Sequence, residues 1–184
     1  PPPPPPPPPP LFFFNPEPAI RDPLWSRGLG DVYKRQDQGR GLGLAFYFCH
    51  AAHVAEVADV SVNDNQEVTV HKITAAVDVG PIINMSGALN QVEGSIMDGL
   101  STMIGQKITM ENGRIQETNL DQYPVLRINS APEIEVHFIQ SDYEPTGLGE
   151  PALPPLAPAV ANAIFNATGA RVRKMPLTDL GYRV

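Results

Sequence analysis

Cysteine is nearly absent: the 184 residues contain one, Cys49, which excludes an internal disulfide and leaves the redox compartment open. Positive charge is scarce too. Thirteen Lys and Arg stand against 20 Asp and Glu, giving a net charge of −7 and a pI near 5.0. With no basic run and no basic aromatic platform, this balance argues against nucleic-acid binding. No apolar stretch reaches membrane-spanning length, and no secretory signal is visible. The single tryptophan, Trp25, lies in a segment with little other sign of a fold.

Proline is abundant, but unevenly so. Ten of the 22 prolines form the run Pro1–Pro10, which favours an extended polyproline rod with no core to join. Asp22-Pro-Leu-Trp-Ser-Arg-Gly-Leu-Gly-Asp-Val-Tyr-Lys-Arg-Gln36 resembles a translated cloning adaptor. Residues 1–36 are accordingly expected to be non-native and disordered, with the native N-terminus missing. Localisation therefore stays open between bacterial cytoplasm and periplasm. The stretch 37–184 is long enough for one domain with a real core.

Within that stretch, Gly39-Arg-Gly-Leu-Gly43 precedes the apolar run Leu44–Cys49. A dinucleotide fingerprint needs a strand before its glycines and a helix after them, so a Rossmann loop is not expected. His50 and His53 lie three apart on or beside a strand, where such residues face opposite sides, and metal ligation is not assigned to them. Residues 54–62 and 67–79 read as strands joined by the polar turn Asn63-Asp-Asn-Gln66. Val68 and Val70 have one parity, whereas Ile73, Ala75, Val77 and Val79 have the other. A period-2 pattern changes parity only through an irregularity, which predicts a β-bulge near His71–Lys72.

A helix is predicted over 86–104, with Leu89, Val92, Ile96, Leu100 and Met103 as its apolar stripe. Gln91, Gly94 and Asp98 occupy a different face. Asn112-Gly113 predicts a tight hairpin turn, and the alternation of Ile134, Val136 and Phe138 predicts a strand. The Glu133, Glu135 and His137 side of that strand reads as solvent or a partner surface. A second helix over 156–168 should bury Leu156, Val160, Ala163, Ile164 and Ala167 and end at Gly169. The basic tail Arg171–Pro176 reads as a solvated helix end. The fold expectation is α+β: antiparallel β-hairpins packed with two main helices around one core.

Between strand and second helix stands Gly147-Leu-Gly-Glu-Pro-Ala-Leu-Pro-Pro155. Glycines allow close approach and prolines deny helix, so Glu150 is presented on a stiff, irregular loop. Carboxylates acting as general bases often occupy such loops, although a solvated turn residue has the same local signature.

Three ordered motifs carry a family resemblance: the glycine-rich entry at 39–48, Asn90-Gln-Val-Glu-Gly-Ser-Ile-Met-Asp-Gly-Leu100, and Thr146-Gly-Leu-Gly-Glu-Pro-Ala-Leu-Pro-Pro155 with the helix after it. Together they resemble the C-terminal part of the molybdopterin-binding subunit of xanthine oxidase family molybdenum hydroxylases, and most of all the isoquinoline 1-oxidoreductase beta subunit. The resemblance implies hydroxylation of an electron-poor carbon in an N-heterocycle or aldehyde with oxygen from water. It implies Glu150 as catalytic base and Gln91, Gly94, Gly147 and Gly149 as cofactor-binding residues. It further implies molybdopterin cytosine dinucleotide as cofactor, its metal held by the pterin dithiolene with no protein ligand. Electrons would leave through [2Fe–2S] clusters on a small iron–sulfur partner subunit. The alternatives are a folded remnant without activity of its own, or a member of the aldehyde or carbon monoxide dehydrogenase type.

Overall fold

The computed structural model describes residues 39–184, and the expectations for the proline run and the adaptor-like stretch fall outside the described residues. The described part is α+β, as its sequence pattern predicts. A four-stranded sheet of order β1-β2-β3-β6 is built from β1 (Arg40–Cys49), β2 (Ala52–Val62), β3 (Val68–Asp78) and β6 (Glu133–Phe138). Helices α1 (Met85–Ile104) and α2 (Leu156–Thr168) supply the other layer. Two-residue strands β4 (Met110–Glu111) and β5 (Arg114–Ile115) form a separate small hairpin.

β1, β2 and β3 pair antiparallel, but β6 joins β3 in parallel, Ile73 opposite Ile134 and Val77 opposite Phe138. Alternation reveals a strand and its faces, not its direction, so hairpins alone did not anticipate this edge. Lys72 of β3 reaches both Glu133 (2.8 Å) and Glu135 (2.7 Å) of β6. By donating hydrogen bonds to the Glu133 and Glu135 carboxylates, the Lys72 ammonium holds its pKa above the ordinary value. This acidic side is thus partly a strand-to-strand tie rather than a bare surface.

The bulge lies where parity requires it. Asp59 pairs with Lys72 and Val60 with Val70, leaving His71 as the extra residue on β3. Val68 is consequently buried on the same side of the sheet as Ile73, Ala75 and Val77.

α1 starts at Asn84, whose side-chain oxygen accepts from Gly87 N at 3.0 Å, satisfying one free N–H of the first turn. Val92, Ile96, Leu100 and Met103 are buried as expected. Leu89 is not; it is 37% exposed, and Ala88 takes the inward position one residue earlier. α2 ends at Gly169 in the left-handed region (φ 76°), its N–H bonded to Phe165 O at 2.7 Å.

The glycines at 41 and 43 are packing residues inside β1 rather than a ligand loop. A Cβ on Gly43 would lie 2.1 Å from Ala159 O, and one on Gly41 would lie 2.2 Å from Ala163 O. The α2 backbone therefore rests directly on β1. Asn162 and Asn166 of α2 donate to the carbonyls of Leu44 (3.0 Å) and Leu42 (2.6 Å). These bonds satisfy part of the free edge of an outer strand.

One buried group is at odds with the core. Glu56 on β2 is fully buried beside Val54 and Ala58, and neither carboxylate oxygen has a hydrogen-bond partner. Burial pushes its pKa up to about 8. The basic tail is more engaged than a solvated end: Arg171 lies 3.5 Å from the Phe165 ring centre, and Lys174 pairs with Asp179 at 3.1 Å.

Candidate functional site

The loop carrying Glu150 is fixed at both ends. Asp78, at the end of β3, accepts from Gly80 N (3.2 Å) and from Ser141 Oγ (2.6 Å). Thr146 N then donates to Val79 O at 3.0 Å. Gly80 has φ 71°, and a Cβ there would lie 2.6 Å from Tyr143 O, so the loop runs tightly against the strand end. After Glu150, Pro151 and Ala152 are buried, and Leu153 N closes a turn onto Glu150 O at 2.9 Å. A buried anchor thus follows immediately after an exposed carboxylate.

α1 contributes the second wall. Ser95 is buried and donates its Oγ hydrogen to Gly149 O at 3.2 Å. One turn earlier on the same helix, Gln91 Nε2 comes within 3.8 Å of the position a Gly149 Cβ would take. Gln91, Gly149 and Glu150 therefore converge, although 58 positions (91 to 149) separate the first two. Gly94 and Gly147 differ: nothing lies within 4 Å of a Cβ on either. They border open space.

The β1–β2 hairpin supplies a residue that sequence reasoning did not place. His50 and Ala51 form its two-residue turn, and His50 Nε2 lies 3.1 Å from Glu150 Oε2. Proximity across 100 positions has no local signature. Ser95 had one: it follows Gln91 by four residues, hence shares its helical face. His53 goes elsewhere, into an aromatic cluster with Phe48 (4.8 Å), Tyr143 (5.7 Å) and Phe46 (6.1 Å) between ring centres. The two histidines do not form a pair.

Within the described residues the Glu150 side chain is 74% exposed and that of His50 is 61% exposed. Among the described residues no group of three or more His, Cys, Asp or Glu could hold a metal ion. No helix among them is long and apolar enough to cross a membrane.

Residues 22–132 match the molybdopterin cofactor-binding domain family. The chain belongs to that family. As a molybdopterin cofactor-binding domain it resembles isoquinoline 1-oxidoreductase subunit beta of Brevundimonas diminuta, at 34% identity over 154 residues, 83% of this chain and 19% of that protein. The membrane-bound aldehyde dehydrogenase of Gluconacetobacter polyoxogenes, named for pyrroloquinoline quinone, is 42% identical over 110 residues, 60% of this chain and 14% of that protein. Quinoline 2-oxidoreductase from Pseudomonas putida 86 superposes with a TM-score of 0.63 at 20% identity, over 68% of this chain and 17% of that one. That last likeness speaks for the fold. The chain thus spans no more than a fifth of the length of these relatives.

Proposed function

We propose that this molybdopterin cofactor-binding domain is part of a molybdenum hydroxylase acting on an aromatic N-heterocycle or an aldehyde, with Glu150 as its general base. The observation that carries the reading is the convergence of Gln91, Gly149 and Glu150 at one exposed corner, held by Ser95.

The residues fit the cofactor's needs. Gln91 offers amide donors and an acceptor to a pterin edge. Gly94 and Gly147 border open space that no side chain fills. The cofactor, when bound, supplies the two-electron redox chemistry, and the protein supplies orientation and proton handling. In that division Gln91 and Gly149 would hold the pterin, in its cytosine dinucleotide form. The Glu150 carboxylate accepts the proton of the water-derived oxygen that is added to the substrate carbon. A base of this kind contributes roughly 10²- to 10⁴-fold. A small iron–sulfur partner subunit would supply [2Fe–2S] clusters as the electron acceptor.

The name of one relative favours a second reading, an aldehyde dehydrogenase using pyrroloquinoline quinone. Cofactor analysis of the complete subunit separates the two. The first reading predicts molybdenum and a cytosine dinucleotide in near-equal amounts, and a product that takes its oxygen from ¹⁸O-labelled water. Pyrroloquinoline quinone without molybdenum, or an oxygen taken from O₂, would overturn it.

A further inference from the structure

The turn that carries His50 is built against local preference. Both central residues have positive φ, 51° at His50 and 62° at Ala51, and neither is glycine. A two-residue hairpin with both φ positive calls for Asn-Gly or its like. Strain of this kind persists where surrounding structure over-determines it and clusters at functional sites. Here the strained turn presents an imidazole 3.1 Å from Glu150.

An exposed His–carboxylate contact is by itself weak, because two mobile side chains must be held together. Both backbones of this pair are held by one element. β1 is docked on α2 through Gly41, Gly43, Asn162 and Asn166, and the Glu150 loop runs through buried Pro151 and Ala152 straight into α2. Ser95 fixes the loop a second time, from α1. The spacing of His50 and Glu150 is therefore set by the scaffold.

From this we infer that His50 is a positioning residue for Glu150: its Nε2 holds Oε2 and leaves the other carboxylate oxygen free to face substrate. The inference rests on the reading of Glu150 as the base.

Two measurements test it. In the 184-residue chain, the ¹⁵N resonance of His50 Nε2 moves in Glu150→Gln while Nδ1 stays in place; an unmoved Nε2 would show that the pair does not form. In the complete cofactor-loaded subunit, His50→Gly lowers kcat roughly 10- to 100-fold with KM near parental, as a misplaced catalytic group does. The same variant melts higher than the parent, because glycine relieves the turn. His50→Gln, which still offers an N–H, recovers most of kcat. Parental kcat in His50→Gly, or a kcat loss that merely follows a lower melting temperature, would overturn the inference. If Glu150→Gln itself turns over normally, the base reading fails, while the nitrogen resonance still reports whether the pair exists.

Discussion

The chain contains two tight hairpin turns with the same backbone signature and opposite residue choices. At Asn112-Gly113 both φ values are positive, 50° and 77°, and the residues are the pair that geometry favours. At His50-Ala51 the values are 51° and 62°, and the residues are not. A left-handed conformation costs an ordinary residue roughly 1–2 kcal/mol. The first turn closes two-residue strands that are exposed and carry no candidate site residue. The second closes strands of 10 and 11 residues that are packed under α2, and its tip touches Glu150. Local preference rules where nothing else is asked of a turn; a well-packed hairpin can hold a disfavoured turn in place. The same β1–β2 hairpin also tolerates the unpaired Glu56.

Four variants probe this contrast, taken in order of expected effect. Glu56 comes first. Its pKa of about 8 against 4.5 when exposed means that the folded state keeps a proton the unfolded state releases. Its stability contribution is whole below pH 4.5 and is lost as pH rises through 8. The slope is about 1.4 kcal/mol per pH unit, several kcal/mol in all. Urea midpoints at pH 5, 7 and 9 should fall steadily in the parent and stay nearly level in Glu56→Gln.

Second, Gly43→Ala forces α2 off β1. Overpacking of this kind costs about 3 kcal/mol, read as a lower urea midpoint with altered contacts throughout the β1–β2 hairpin. Gly113→Ala, third, should cost only about 1 kcal/mol, because the small hairpin supports little else. Last, Ala51→Gly should stabilise the chain by a few tenths to about 1 kcal/mol in thermal melts, since it relaxes the strained turn without touching the His50 side chain. Equal losses from Gly43→Ala and Gly113→Ala would erase the contrast between the hairpins.

Much of this architecture was legible in the sequence. The parity break across Val70 and Ile73 placed the bulge, Asn112-Gly113 placed a turn, and Gly169 placed a helix end. Each is a local rule with a short reach. The parallel pairing of β6 was hidden because alternation has no direction. Leu89 misled because its spacing fits the stripe, yet it sits in the first turns of α1, where Ala88 faces inward instead. At the candidate site, Gln91 and Glu150 were named from ordered motifs. His50 was not, since nothing local announces a contact with residue 150, and its unusual φ exists only in the folded chain. The sequence argued against a Rossmann loop at glycines 41 and 43 but gave them no role; their part in admitting a helix backbone depends on α2, more than 110 positions later.

The central claim, that Glu150 is the base of the site formed with Gln91 and Gly149, is tested most directly by one substitution. In the complete subunit, Glu150→Gln keeps nearly the same shape and hydrogen-bonding reach but cannot accept the proton. The account predicts parental molybdenum and pterin content with turnover reduced at least about 100-fold. Near-parental turnover at parental cofactor content would contradict it.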